Sequence, residues 1–485
     1  MNQPTGKKRS PAWLRSLGWL GFILLGMLMV LLVAWRLMES SHQKAQALAK
    51  PEKTLPKSSS KISVAASSVQ KESATSRGIP MAELPLIGIY TGDDLAAQKV
   101  LEKQLDEISS WRNTGCMVDG VLSFRAVLSK MGMAVPDTMT EAEAAAEFLK
   151  WTERFSAIFA QWREAVSKGP WDFNSLETKD PFAKRGKVFN MAYNLQSLLG
   201  AMAEARLRKG DTVAAYSDLQ TMDSSADRCG DDLGFSKMMF SWRMLRTARA
   251  GMEPGGWTDD QLMGISTMLG GENALASARR LKDYKKLGMT ELLTHYRENP
   301  SGIEGAKSPI DQMLNQICIA TTTDQQIADN LAVINFHLDQ PFTRFDPVTG
   351  VYLGESADDS PELPHTKPSD VSFDKFYYMY SARYGNPGPQ AEWIIKDQST
   401  IDQTRIAAAL EIQQRATGEY PATLDAVSGT FGGSTPIDIA TGQPYFYQRN
   451  PDGGYTLWGT GIDGKSDGGN EKTDAVWKHR STQKR

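Results

Sequence analysis

Residues 17–35, LGWLGFILLGMLMVLLVAW, run for nineteen positions without a charge. As an α-helix that stretch spans about 28 Å, the thickness of the hydrocarbon core of a bilayer. Nothing before it is apolar enough to cover it in water, so the expected outcome is a transmembrane helix over 17–38. Lys7, Lys8, Arg9 and Arg15 precede the run, while Arg36, Lys44 and Glu39 follow it. That excess of positive charge places the basic tail 1–16 in the cytoplasm. Trp13, Trp19 and Trp35 fall near the two interfaces, where amphipathic rings settle. The bulk of the chain is then expected outside the inner membrane, periplasmic in a Gram-negative cell. A cleaved signal peptide ending at the ALA of 47–49 is the competing reading, although signal cores run to only about 7–15 residues.

Beyond the anchor, residues 39–85 are rich in Ser, Lys, Ala and Pro and poor in large apolar side chains. Such a segment cannot bury enough surface to offset the entropy of ordering it, and it reads as a disordered tether. A flexible chain of that length reaches roughly 35 Å, enough to hold a folded body clear of the headgroups. The net charge of -3 and pI near 6.1 argue against a nucleic-acid partner, which demands a basic surface. Cys116, Cys229 and Cys318 are odd in number and widely spaced, with no C-x-x-C pair. One disulfide and a free thiol remain open, and lone cysteines of this kind usually pack as small apolar residues.

From 86 to 340 the apolar residues recur at helical spacing. Phe148, Trp151, Phe155, Ile158 and Trp162 form one stripe on one expected helix, read as core, and Thr138 or Thr140 is placed to cap its start. Residues 184–228 read as two helices joined at Lys209-Gly210-Asp211, with Gly210 ending the first and Asp211 capping the second. The segment LGAMAEARLRKGDTVAAYSDL resembles one tetratricopeptide unit, small residues at Gly200, Ala203 and Ala215 allowing close approach. No second copy follows thirty-four residues on, so a helical bundle with one repeat-like hairpin is expected rather than a solenoid. The basic run RRLKDYKKLG at 279–288 is read as a solvated helix face. Residues 341–389, rich in Pro, Asp and Ser, read as an irregular connection to a final module over 390–480.

That module should begin with a long helix marked by Ile394, Ile401, Ile406, Leu410 and Ile412 and ended by Gly418. Thr423 is placed to cap a short turn, and YFYQR and YTLWG flank NPDGG as a β-hairpin. Gly459, Gly461 and Gly464 then give the spacing G-x-G-x-x-G, which in dinucleotide-binding folds follows a strand and opens a helix. Here the glycines run into KSDGGNEKTD, and too few residues remain for a second strand of a βαβ unit, so no nucleotide or cofactor is assigned to them. Asp463, Asp467, Asp474 and Asn470 supply hard oxygen donors of the kind Ca²⁺ takes, outside the EF-hand pattern because Lys465 stands where its second acidic position falls. The same composition also makes a plain turn-rich loop.

The succession RIAAALEIQQRATGEYPATLDAV, PIDIATGQPYFYQ, YTLWGTGIDGKSDGG and DAVW resembles the C-terminal half of the major pseudopilins of type II secretion. In that family a long helix runs into G-x-Y-P, a turn, and a strand leading to an acidic glycine-rich loop that binds calcium. The resemblance covers about 400–477 and implies Asp463 and Asp474 as ligands, with Asp467 in a looser stretch. Ile437 and Asp438 depart from the family's D-P, and Thr460 replaces its Ser. At the N-terminus Gly21-Phe22 lies inside the apolar run and Gly26 occupies the position of the pilin Glu, so pilin processing is not expected. As a whole the chain resembles membrane-anchored proteins of planctomycetes and verrucomicrobia in which a helical region precedes a pseudopilin-like tail.

The fold expected is therefore mainly α, a helical bundle with one tetratricopeptide-like hairpin, plus a small α+β C-terminal module and one transmembrane helix. No H-E-x-x-H, G-x-S-x-G or P-loop occurs, and the five histidines, at 42, 295, 337, 365 and 479, never fall at helical spacing from one another. No catalytic residue is assigned. The function expected is a non-catalytic single-pass envelope protein, a scaffold for an unidentified protein partner with a calcium-ordered C-terminal loop. An accessory of a secretion or pilus-like machine and an envelope hydrolase with a site assembled from distant segments are the alternatives.

Overall fold

The structure is a computed structural model that describes most of residues 79–172, 181–286 and 338–354 and all of 391–479. The expected membrane helix and most of the tether lie outside the described residues, as do Cys318 and most of the connection 341–389. The last residues of the expected tether are ordered instead: Ile79–Pro80 pair with Trp171–Asp172 and Leu84 is fully buried, a long-range pairing that local composition does not reveal. Among the described helices none is long and apolar enough to cross a membrane. The described part is mainly helical, with small antiparallel sheets in the C-terminal region.

The first helices are short and held by local chemistry. β1 (Ile79–Pro80) leads into α1 (Pro85–Thr91) and α2 (Leu95–Ser110), and a minimal hairpin of β2 (Met117–Val118) and β3 (Val121–Leu122) precedes α3 (Phe124–Lys130). Ser123 caps α3, and its hydroxyl and the Phe124 amide both donate to the Glu141 carboxylate at 2.7 Å, which ties α3 to the next helix. That helix, α4 (Glu141–Thr152), opens on a complete capping box between Thr140 and Glu143. The cap thus falls on Thr140.

The aromatic stripe 148–162 is not one helix. A 3₁₀ turn over Glu153–Phe155 separates α4 from α5 (Ser156–Ser167). The Thr152 hydroxyl donates back to the Leu149 carbonyl at 2.6 Å, a bond that competes with the regular ladder where the helix breaks. Phe148, Phe155, Ile158 and Trp162 are still buried on one side, because a three-residue turn of 3₁₀ advances nearly as far round as a turn of α. β4 (Trp171–Asp172) then pairs parallel with β1, and Trp171 packs edge-on against Trp162 with ring centroids 5.7 Å apart.

The hairpin follows the sequence closely. α6 (Pro181–Arg208) ends at Gly210, whose φ of 77° is the left-handed conformation expected of a cap, and Asp211 accepts from the Ala214 amide at 3.1 Å to start α7 (Thr212–Gly230). A Cβ on Gly200 would stand 3.0 Å from Thr247 Oγ1, so this glycine lets α6 approach α8 (Lys237–Ala250). Buried charge pins the same helices. Asp218 of α7 is fully enclosed and pairs with Arg163 of α5 and Arg206 of α6, while Glu204 of α6 pairs with Arg246 of α8. α9 (Asp259–Gly270) opens on a second capping box, Thr258 with Gln261.

The basic run after α9 is less solvated than its composition suggests. Lys282 and Lys286 converge on Asp339, at 3.2 and 2.5 Å, and Lys282 also sits over the Phe342 ring. The partner lies more than fifty residues away and is invisible to a local count of charge.

α10 (Ala391–Thr417) is the long C-terminal helix, with Gly418 at φ 86° closing it. It packs on α8 and α9 along one side and on the sheet along the other. Its apolar stripe is interrupted by buried polar side chains that reach across these contacts: Gln398 accepts from the Ala274 amide at 2.9 Å, and Gln403 donates to the Ala475 carbonyl at 2.6 Å. A 3₁₀ stretch over Leu424–Phe431 follows, and the Thr423 side chain makes no capping bond there. β5 (Ile437–Asp438) and β6 (Gln443–Pro444) pair across a tight turn. β7 (Phe446–Arg449), β8 (Tyr455–Gly459) and β9 (Ala475–His479) form an antiparallel sheet in that order, with Phe446 opposite Trp458 and Gly459 opposite Ala475. The hairpin falls where NPDGG places it.

Candidate functional site

The loop 460–474 joins β8 to β9, and its order comes from Asp474. This residue is only 7% exposed. Its Oδ2 accepts from the amides of Asp467, Gly469 and Asn470 at 3.0, 2.9 and 3.2 Å, and Oδ1 takes a longer contact of 3.3 Å from the Asp467 amide. Gly468 and Gly469, at φ 71° and 79°, turn consecutive amides inward toward that carboxylate, which is the geometry of an anion nest filled by a side chain of the same chain. The Asn470 carbonyl returns the contact by accepting from the Asp474 amide at 2.8 Å.

Asp463, Asp467 and Asn470 stand differently. All three are exposed. Asp463 Oδ1 accepts from the Lys465 amide at 3.1 Å and Asn470 Oδ1 from the Lys472 amide at 3.2 Å, both short Asx turns. The structure therefore joins Asp467 and Asn470 to Asp474 through their backbones, and leaves Asp463 at the loop's other end. Among the described residues no group of three or more His, Cys, Asp or Glu side chains is arranged to hold a metal ion.

The glycine spacing has a packing explanation. After Gly459 the chain passes through turns to β9 and opens no helix. A Cβ at Gly459 would lie 2.8 Å from the Tyr445 ring and 3.1 Å from Asp438 Oδ2, and one at Gly461 would lie 2.0 Å from the Thr473 carbonyl oxygen. Both glycines are needed for close approach.

Beneath the loop lies a set of buried carboxyl groups that a motif search passes over. Asp438, 1% exposed, accepts through Oδ1 from the Ala440 amide at 3.0 Å, and through Oδ2 from the Thr460 amide and hydroxyl at 2.7 and 2.8 Å. Burial raises its pKa against the pull of these bonds, and the Asp474 carboxylate nearby pushes the same way. Asp402 of α10 accepts from Gln398 and from the Tyr445 hydroxyl, each at 3.2 Å, and burial pushes it up to about 6. Asp397, earlier on the same helix, lines a small, partly open cavity with Trp242, Leu245, Glu272, Ser277 and Ile401, and burial pushes its carboxyl up to about 7 against the pull of Lys396 and a hydrogen bond with Trp242. The sequence signal for these groups is weak. Each is a polar residue inside an apolar helix stripe or a turn, a position normally read as solvent-facing.

No protein family, curated protein or solved structure matches this chain.

Proposed function

We propose that the protein is a non-catalytic single-pass envelope protein: a helical body held outside the inner membrane by its N-terminal anchor and tether, offering its surface to a protein partner. The observation that carries this reading is the uncharged run Leu17–Trp35 with basic residues on its N-terminal side. The pseudopilin-like reading of the tail rests on the order of its motifs, and the helix, hairpin and acidic loop occur in the order those motifs give. A reporter fused after Arg485 tests the topology. Activity of a reporter that works only outside the cytoplasm is expected, and a reporter active only in the cytoplasm overturns the reading.

Calcium is part of the same proposal, as a weak ligand of the acidic loop. The exposed carboxylates of Asp463 and Asp467, the Asn470 carboxamide and the less occupied Oδ1 of Asp474 are the donors, and they suit a hard cation. The loop is already organised by Asp474, and the exposed donors have to move inward, so binding in the range of about 10⁻⁴ to 10⁻³ M is expected. Melting in calcium against chelator reads this directly. An unchanged midpoint at millimolar calcium removes the metal from the proposal.

A further inference from the structure

The seam between α10 and the C-terminal sheet holds two ionisable side chains that face each other away from water. Glu411 of α10 is 2% exposed and His479, the last residue of β9, is 5% exposed. Glu411 Oε1 and His479 Nε2 stand 3.7 Å apart, beyond hydrogen-bond reach. Oε1 instead accepts from the Tyr420 hydroxyl at 2.8 Å. The imidazole lies flat on Tyr455, ring centroids 5.0 Å apart and planes 11° from parallel, and meets Tyr420 edge-on at 5.6 Å. His479 Nε2 and the Tyr455 hydroxyl are buried with no hydrogen-bond partner among the described residues.

The other charged and titratable groups around the pair come from every neighbouring element. Arg415 of α10 acts on Glu411 at a distance while its guanidinium binds Asp259 at 2.9 Å. Arg249 of α8 lies over the Trp477 ring at 4.1 Å and acts on Tyr455. Tyr447 of β7 acts on Tyr420 and Tyr455, and Asp452 in the β7–β8 turn acts on His479. Inside this aromatic box a carboxylate and an imidazolium would both lose their hydration, and at 3.7 Å without a direct hydrogen bond their attraction returns only part of it.

We propose that Glu411 and His479 form a neutral pair in which the proton that would sit on the imidazole in solution is held on the carboxyl group, so that each residue cancels the pH dependence the other brings to the seam. Burial pushes Glu411 from 4.5 up to about 7 and His479 from 6.5 down to about 4. The raised carboxyl contributes stability that is complete below 4.5 and lost as pH rises through about 7. The depressed imidazole contributes stability that is complete above 6.5 and lost as pH falls through about 4. Between 4.5 and 6.5 the folded and unfolded pairs bind the same number of protons, and the two slopes oppose each other.

Hydrogen exchange at the amides of Ala475–His479 in the full-length chain, corrected for intrinsic rate from about pH 4.5 to 8, tests this on wild type, Glu411→Gln, His479→Gln and the double variant. Relative to wild type, opening of Glu411→Gln is expected to grow toward acid and that of His479→Gln toward alkali, each ratio changing on the order of a hundredfold across the range. The double variant should run parallel to wild type. Ratios that do not move with pH overturn the proposal, as does a loss in both single variants centred between 4.5 and 6.5, the mark of an ion pair. If the variants fail to fold, ¹⁵N-histidine spectra of wild type decide the matter: the imidazole shifted by the stacked Tyr455 ring is expected neutral near about pH 5.5, and finding it protonated there overturns the pairing.

Discussion

Thr460 gives both its amide and its hydroxyl to one oxygen of Asp438, at 2.7 and 2.8 Å, across twenty-two residues of chain. This double bond fixes the end of β8 to the β5–β6 turn and sets where the acidic loop begins. Thr460→Val keeps the shape and removes the hydroxyl donor from a buried carboxyl group, so a loss of about 1–3 kcal/mol in denaturant unfolding is expected. Thr460→Ser restores the donor and should recover most of it.

Asp474→Asn tests what orders the loop. One carboxylate oxygen becomes an NH₂ that cannot accept, and a site that gathers inward-pointing amides loses its charge. Destabilisation of about 2–4 kcal/mol is expected, with faster exchange at the amides of Asp467, Gly469 and Asn470. If those amides stay protected in the variant, the loop is held by something other than Asp474.

Gly461→Ala should fold poorly or lose about 2–3 kcal/mol, because the added methyl meets the Thr473 carbonyl rather than a side chain that can swing away. Gly429→Ala is the control, with nothing within 4 Å of the new Cβ. Comparing the two melting temperatures separates close approach from general intolerance to side chains.

Asp397 and Asp402 set a pH dependence that the Glu411–His479 pair does not cancel. Burial holds both above their ordinary 3.8, at about 7 and about 6. A raised acid contributes stability that is complete below 3.8 and lost as pH rises through its folded value, so the melting temperature is expected to fall between pH 5 and pH 8 by about several degrees. Asp402→Asn should flatten part of that slope. A melting temperature that climbs over the same interval contradicts the assignment.

In the helical body Asp218→Ala leaves Arg163 and Arg206 facing each other without their shared carboxylate. Both arginines keep some contact with water, so the low end of the range for breaking a buried pair applies, about 3 kcal/mol. Chemical denaturation reads this, and a change under about 0.5 kcal/mol refutes a structural role for the trio.

The sequence made the parts governed by local rules legible. The break at Gly210, a threonine cap ahead of Glu141 (narrowed to Thr140 only by the structure), the end of α10 at Gly418 and the NPDGG hairpin each depend on residues a few positions apart. What it concealed depends on distance. Lys282 and Lys286 look solvated until Asp339 is brought alongside, and Asp438 looks like a turn residue until Thr460 arrives. The polar face of α10 was hidden for another reason. Counting apolar positions at helical spacing detects one stripe, and a helix buried on several sides carries Gln398, Asp402 and Gln403 inside as well. The break at Glu153–Phe155 left no trace because the aromatic spacing continues through it.

α10 is a shared wall. Gln398 takes up an amide from the helical body, Gln403 reaches a carbonyl of the sheet, and Arg415 grips Asp259 at the start of α9. A tail severed ahead of Ala391 would carry Gln398 and Arg415 away from Ala274 and Asp259, exposing a polar, half-apolar flank on both fragments at once. The C-terminal part is therefore poor material for grafting onto another protein, and changes that accumulate in either half must be answered along one twenty-seven-residue helix.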